Sequence, residues 1–138
     1  MRYGSRVDAF TIGAKRGDHV AMRLAAHGDE ILDVDFDVAA AGVSARASSQ
    51  LRAGDLGRFR DALRALDEGV DAPADLVTLD RALRLRISQG ARGAFVAQCF
   101  AQPESAGGAI LKVTVSLDGA QLAELLWALD GVARDVSG

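Results

Sequence analysis

Asp33, Asp35 and Asp37 occupy every second position of one short stretch, with Asp29 and Glu30 just before them. On an extended strand this spacing sets like charges about 7 Å apart on one face. Carboxylates in such a row do not wrap around one calcium or magnesium ion as a loop would. Two readings stay open: a solvated face balanced by Arg46 and other cross-strand arginines, or an acidic strip that docks a basic protein surface. His19, His27, Asp29 and Asp33 could be gathered into a metal set, but no pair has the spacing of a metal motif. Neither a metal nor a cofactor is expected.

Nucleophilic chemistry is poorly served. Cys99 is the single cysteine, lies in the apolar run Phe95 to Ala101, and has no histidine near it in sequence, so it reads as a small buried hydrophobe. The turn Gly13-Ala14-Lys15-Arg16-Gly17 carries glycines and cations but neither the Lys-Ser or Lys-Thr ending nor the following helix of a phosphate loop. No Gly-x-Ser-x-Gly elbow or Ser-His-Asp set is present. The chain is therefore expected not to be an enzyme.

The elements that position these groups follow from periodicity. Alternation predicts strands at Arg6 to Ile12, Asp18 to Leu24, Ile31 to Val38 and Val43 to Ser49, the last two forming a hairpin around Ala40 to Gly42. In that hairpin Val34, Phe36 and Val38 share a side with Val43, Ala45 and Ala47, while the aspartates join Ser44, Arg46 and Ser48 on the other. Leu56, Phe59, Leu63 and Leu66 recur at helical spacing from about Gly54 to Asp67, with Gly69 as a stop. Strands follow at Leu76 to Leu79, Ala82 to Ser88, Ala94 to Gln102 and Ile110 to Leu117. The third of these is apolar on both faces, as a central strand would be. Outward positions hold Arg84, Arg86 and Ser88, then Lys112, Thr114 and Ser116. A second helix begins near Asp118, a good N-cap, and buries Leu122, Leu125, Leu126 and Leu129. Turning 100° per residue from that stripe, Trp127 faces outward, unless the N-terminal segment with Tyr3 folds over it.

The fold class is thus α+β: a mostly antiparallel sheet of about seven to eight strands with two helices on one face, in the order strands, helix, strands, helix. At 138 residues, one domain spanning 1–138 is expected. Sixteen cations against 19 anions give a net charge of −3, which argues against a nucleic-acid partner. No apolar run is long enough to span a bilayer and no signal peptide is visible, so neither a membrane partner nor export is expected and the compartment is taken as the cytoplasm.

Residues 30–133 resemble the WapI-type immunity proteins of bacterial toxin systems and related domains of unknown function. The likeness lies in ILDVDFDVAAAGVSARA, DLGRFRDALRALDEG, ALRLRISQGARGAFVAQ and LKVTVSLDGAQLAELLWAL. The lead-in Leu117-Asp118-Gly119-Ala120 departs from the more polar segment of that pattern. The resemblance implies a small bacterial antitoxin, a non-enzymatic protein-binding module that neutralises a cognate toxin. With both helices covering one face, the other is expected to carry Asp33, Asp35, Asp37, Arg46, Arg84, Arg86 and Lys112 together. The partner-binding residues are read from that open face and the outward tryptophan as Asp33, Asp35, Asp37, Arg46, Arg84, Arg86 and Trp127. Two other readings stand beside it. One is a small-ligand or enzymatic domain with a pocket between sheet and helices, using Cys99, Gln98 and Thr78. The other is a homo-oligomer of unknown role joined through Trp127.

Overall fold

The structure, a computed structural model, describes residues 7–13, 17–26, 28, 30–102 and 110–137, excepting the side chains of 7–9 and 132–137. Tyr3, Ala14 to Arg16, His27, Asp29 and residues 103–109 lie outside the described residues. Four strands come first, β1 (Val7–Gly13), β2 (His19–Ala26), β3 (Ile31–Ala40) and β4 (Val43–Arg52), followed by helix α1 (Ala53–Asp67). The pattern then repeats with β5 (Ala74–Val77), β6 (Leu83–Gln89), β7 (Phe95–Ala101), β8 (Leu111–Leu117) and helix α2 (Gly119–Ser137). This is the expected α+β architecture, and the eight strands are divided equally between two antiparallel sheets, β1-β2-β3-β4 and β5-β6-β7-β8.

Each sheet is a meander in which every strand pairs with its neighbour in sequence. Period-two alternation gives each sheet one apolar face, and the two faces enclose a common core. Phe10, Met22, Val34 and Phe36 enter it from the first sheet, and Leu76, Leu85, Ile87 and Val113 from the second. Strand β8 touches β1, β2 and β3 across this core. The predicted helical stripes supply the rest: Leu56, Phe59, Leu63 and Leu66 of α1 and Leu122, Leu125, Leu126 and Leu129 of α2 are all buried. Helix α1 lies along β5 and α2, and α2 lies against β1. Arg64 ties the helices by donating to Asp130 at 2.8 Å.

Local signals end the elements as their chemistry requires. The β3–β4 turn is Ala41-Gly42 with φ of 52° and 82°, both left-handed, as a two-residue hairpin loop demands. Asp118 caps α2 reciprocally: its Oδ1 accepts from the Gln121 amide at 2.7 Å, and its own amide donates to Gln121 Oε1 at 2.8 Å. Gly69, at φ 101°, ends α1, and the Val70 amide bonds back to the Ala65 carbonyl at 3.0 Å. Val43, expected on the apolar face, is instead exposed, because it pairs with Ala40 at the hairpin tip, beyond the reach of the core.

Candidate nucleic-acid interface

The sequence-predicted site residues fall on three separate surfaces. Asp33, Asp35, Asp37 and Arg46 share the outer face of the first sheet, as their alternation predicted, with Asp37 opposite Arg46 and Asp35 opposite Ser48. The row is largely answered from within. Arg46 donates to Asp37 at 2.6 Å and Arg23 at 3.2 Å, Ser48 donates to Asp35, and Gln50 donates to Asp33 at 3.1 Å. Burial pushes the Asp37 carboxyl up, but the hydrogen bonds and charges of the two arginines outweigh it and hold the group below the usual range. Trp127 stands apart on α2, facing outward as the helical angle required and 75% exposed, beside a cleft bordered by Phe10 and Ile12 of β1.

Arg84 and Arg86 belong to the third surface, the outer face of the second sheet. Alternation in β6 sends Leu83, Leu85 and Ile87 into the core, and so sends Arg84, Arg86 and Ser88 out. In β7 the outward residues are Val96, Gln98 and Phe100, and in β8 Lys112, Thr114 and Ser116. The pairing register assembles them into cross-strand rows. One runs Val77, Arg84, Phe100, Lys112, and the next runs Asp75, Arg86, Gln98, Thr114.

The first row holds an aromatic ring between two cations. The guanidinium carbon of Arg84 is 5.4 Å and Lys112 Nζ 5.6 Å from the centre of the Phe100 ring, within cation–π range. In the second row Arg86 is clamped by Asp75, with Nε donating at 2.7 Å and Nη2 at 3.1 Å. That pairing raises the Arg86 pKa, chiefly through the hydrogen bond. A hollow of about 400 Å³ opens between the rows, lined by Asp75, Val77, Arg84, Arg86, Gln98 and Phe100. Counting the described side chains, three cations face one carboxylate here, while the outer face of the first sheet sets three aspartates against three arginines, Arg23, Arg46 and Arg52. The Phe100 ring is half-buried, and the part of such a ring that faces solvent between cations can stack a planar base and attract its phosphates at once.

Phe100 was missed as a site residue, and Gln98 was considered only for a pocket between sheet and helices, because the run Ala94 to Gln102 is apolar enough to look like a strand buried on both sides. The signal that could have found them is parity: Phe95, Ala97, Cys99 and Ala101 already fill the inward positions. The pocket alternative fares differently. Cys99 and Thr78 are buried, and burial pushes the Cys99 thiol to about 12, far from the range of a reactive thiolate.

No family model and no curated protein matches the chain. Among solved structures it is similar to a guide-RNA-binding protein complex bound to a gRNA, with TM-score 0.60 and 18% identity over 96% of this chain and 94% of that one. It is also similar to trypanosoma bruciei MRP1/MRP2, with TM-score 0.56 and 17% identity over 97% of this chain and 87% of that one. At such identity the likeness is one of fold. It nonetheless corrects three expectations: the immunity or antitoxin role, the protein partner, and the exclusion of nucleic acid. The physical reason is that a net charge of −3 describes the whole chain and hides the excess of cations on the outer face of the second sheet. The acidic row that suggested a docking strip and the cations Arg84, Arg86 and Lys112 lie on different sheets.

Proposed function

We propose that the chain is a non-enzymatic binder of single-stranded nucleic acid, RNA foremost, that works in the cytoplasm and holds its ligand on the outer face of the second sheet. The observation that carries this is the Phe100 ring on an open face between Arg84 and Lys112. A flat sheet presents stacking rings and cations to a strand whose bases are splayed, whereas a duplex keeps its bases stacked and out of reach. The RNA preference takes its support from the structural neighbour that is bound to a gRNA.

Fluorescence anisotropy with labelled single-stranded RNA, single-stranded DNA and duplex of equal length tests the proposal. Single strands should bind ahead of duplex, and affinity should fall with salt at a log–log slope of about −0.7 per phosphate neutralised. Phe100→Ala should weaken binding by roughly 5- to 150-fold, the equivalent of about 1–3 kcal/mol for one stacked base. Trp127→Ala, on another surface, should leave it unchanged. Failure of the single strands to bind at low salt, or equal affinities for wild type and Phe100→Ala, refutes the proposal.

A further inference from the structure

On the nucleic-acid reading just given, we infer that Gln98 is a specificity-determining residue that reads the edge of the base stacked on Phe100. Gln98 and Phe100 are two apart on β7, so their side chains leave the same face about 7 Å from each other. A base lying flat on the ring would bring its edge to the amide. That amide carries donors and an acceptor, and it makes no hydrogen bond of its own among the described residues. It also lines the hollow beside the ring. The other polar groups of the hollow are differently committed: Arg86 and Asp75 bind each other through two hydrogen bonds. Gln98 is left as the neutral group that can pair with an incoming edge.

The distribution of charge across the face orients the strand. Lys112, Thr114 and Ser116 on β8 offer a cation and two hydroxyls with no carboxylate among them, which suits phosphate. On the opposite edge, β5 contributes Asp75, which repels phosphate and occupies the guanidinium of Arg86. The sugar–phosphate backbone therefore runs along β8 and the bases reach across β7 toward β6, which brings them over Phe100 and Gln98.

The test uses labelled oligouridine RNA in which one central position is U, C, A or G, bound by the wild-type full chain and by Gln98→Ala and Gln98→Glu. Wild type should spread over about five-fold or more among the four oligomers, in the range of one side-chain–base pairing. Gln98→Ala should compress that spread to within about two-fold while a Phe100-dependent affinity persists. Gln98→Glu replaces a donor–acceptor pair by two acceptors and should shift preference toward guanine, whose N1–H and N2 amine are adjacent donors. A merely structural role for Gln98 would move all four affinities together. Equal wild-type affinities, or a spread that survives Gln98→Ala, overturns this inference and leaves the binding function standing. Absence of binding to any of the four overturns both.

Discussion

Asp80 is the residue whose alteration should test how the two sheets are pinned together. Its Oδ1 accepts three hydrogen bonds, from Ser49 Oγ at 2.6 Å, Thr78 Oγ1 at 3.0 Å and the Ala82 amide at 3.0 Å. Ser49 belongs to β4, whereas Thr78 and Ala82 flank the β5–β6 turn, and the Leu79 amide adds a bond to the Gln50 carbonyl at 2.9 Å. Burial pushes the Asp80 carboxyl up, yet the bonds from Ser49, Ala82 and Thr78 prevail and hold it below its ordinary value. Asp80→Asn keeps a carbonyl that can accept some of these bonds and removes only the charge. Bonds to an ionised acceptor are worth about 1.5–3 kcal/mol each when buried, and here they converge on one partly exposed oxygen. The expected loss is therefore about 1–2 kcal/mol at pH 7, or roughly 3–8 °C in Tm for a domain of this size.

The pH dependence gives the sharper check. A carboxyl with a depressed folded pKa stabilises fully above its unfolded value, about 3.9, and that contribution disappears as pH falls through the folded value. Urea unfolding followed by circular dichroism should show the full gap between wild type and Asp80→Asn from pH 7 to 5. Below pH 4 the gap should close, because wild type then loses the charge that the variant never had. Equal stabilities at pH 7, or a gap that persists undiminished to the lowest pH at which both fold, would refute this account of the junction.

Other outcomes follow from single sites. Ala41→Asn should raise stability by about 0.5–1 kcal/mol in thermal melts, since asparagine tolerates the left-handed φ of 52° before Gly42 better than alanine. Phe59→Ala, at a position 1% exposed, should cost about 3–5 kcal/mol in urea unfolding. Cys99, buried with its thiol at about 12, should resist a thiol-specific reagent at pH 8 in the native protein and react promptly in denaturant.

Much of the fold was legible because each element answers to a local rule. The alternation from Ile31 onward put Asp33, Asp35 and Asp37 on one face with Arg46 and Ser48, and the leucine spacing in both helices gave their buried stripes. The division into two sheets was not legible, since period two says which face a side chain takes and nothing about which strand lies beside it. Of the candidate site, Arg84 and Arg86 were found from their outward parity. Their aromatic neighbour was not, because a run apolar at both parities hid the outward position of Phe100, and only the register shows the cations beside it. Asp33, Asp35 and Asp37 drew attention by density, and the folded chain matches them with arginine, serine and glutamine from adjoining strands.

The connector between α1 and β5 joins two stretches that each zip up from consecutive strands. Among the described residues no ladder bond crosses from one to the other. Severing the backbone at 70–73, where every residue is exposed, would break no strand pairing, and the two pieces would still share an interior that neither can close alone. Such a chain can be divided into complementary fragments, each of which needs the other as its solvent shield.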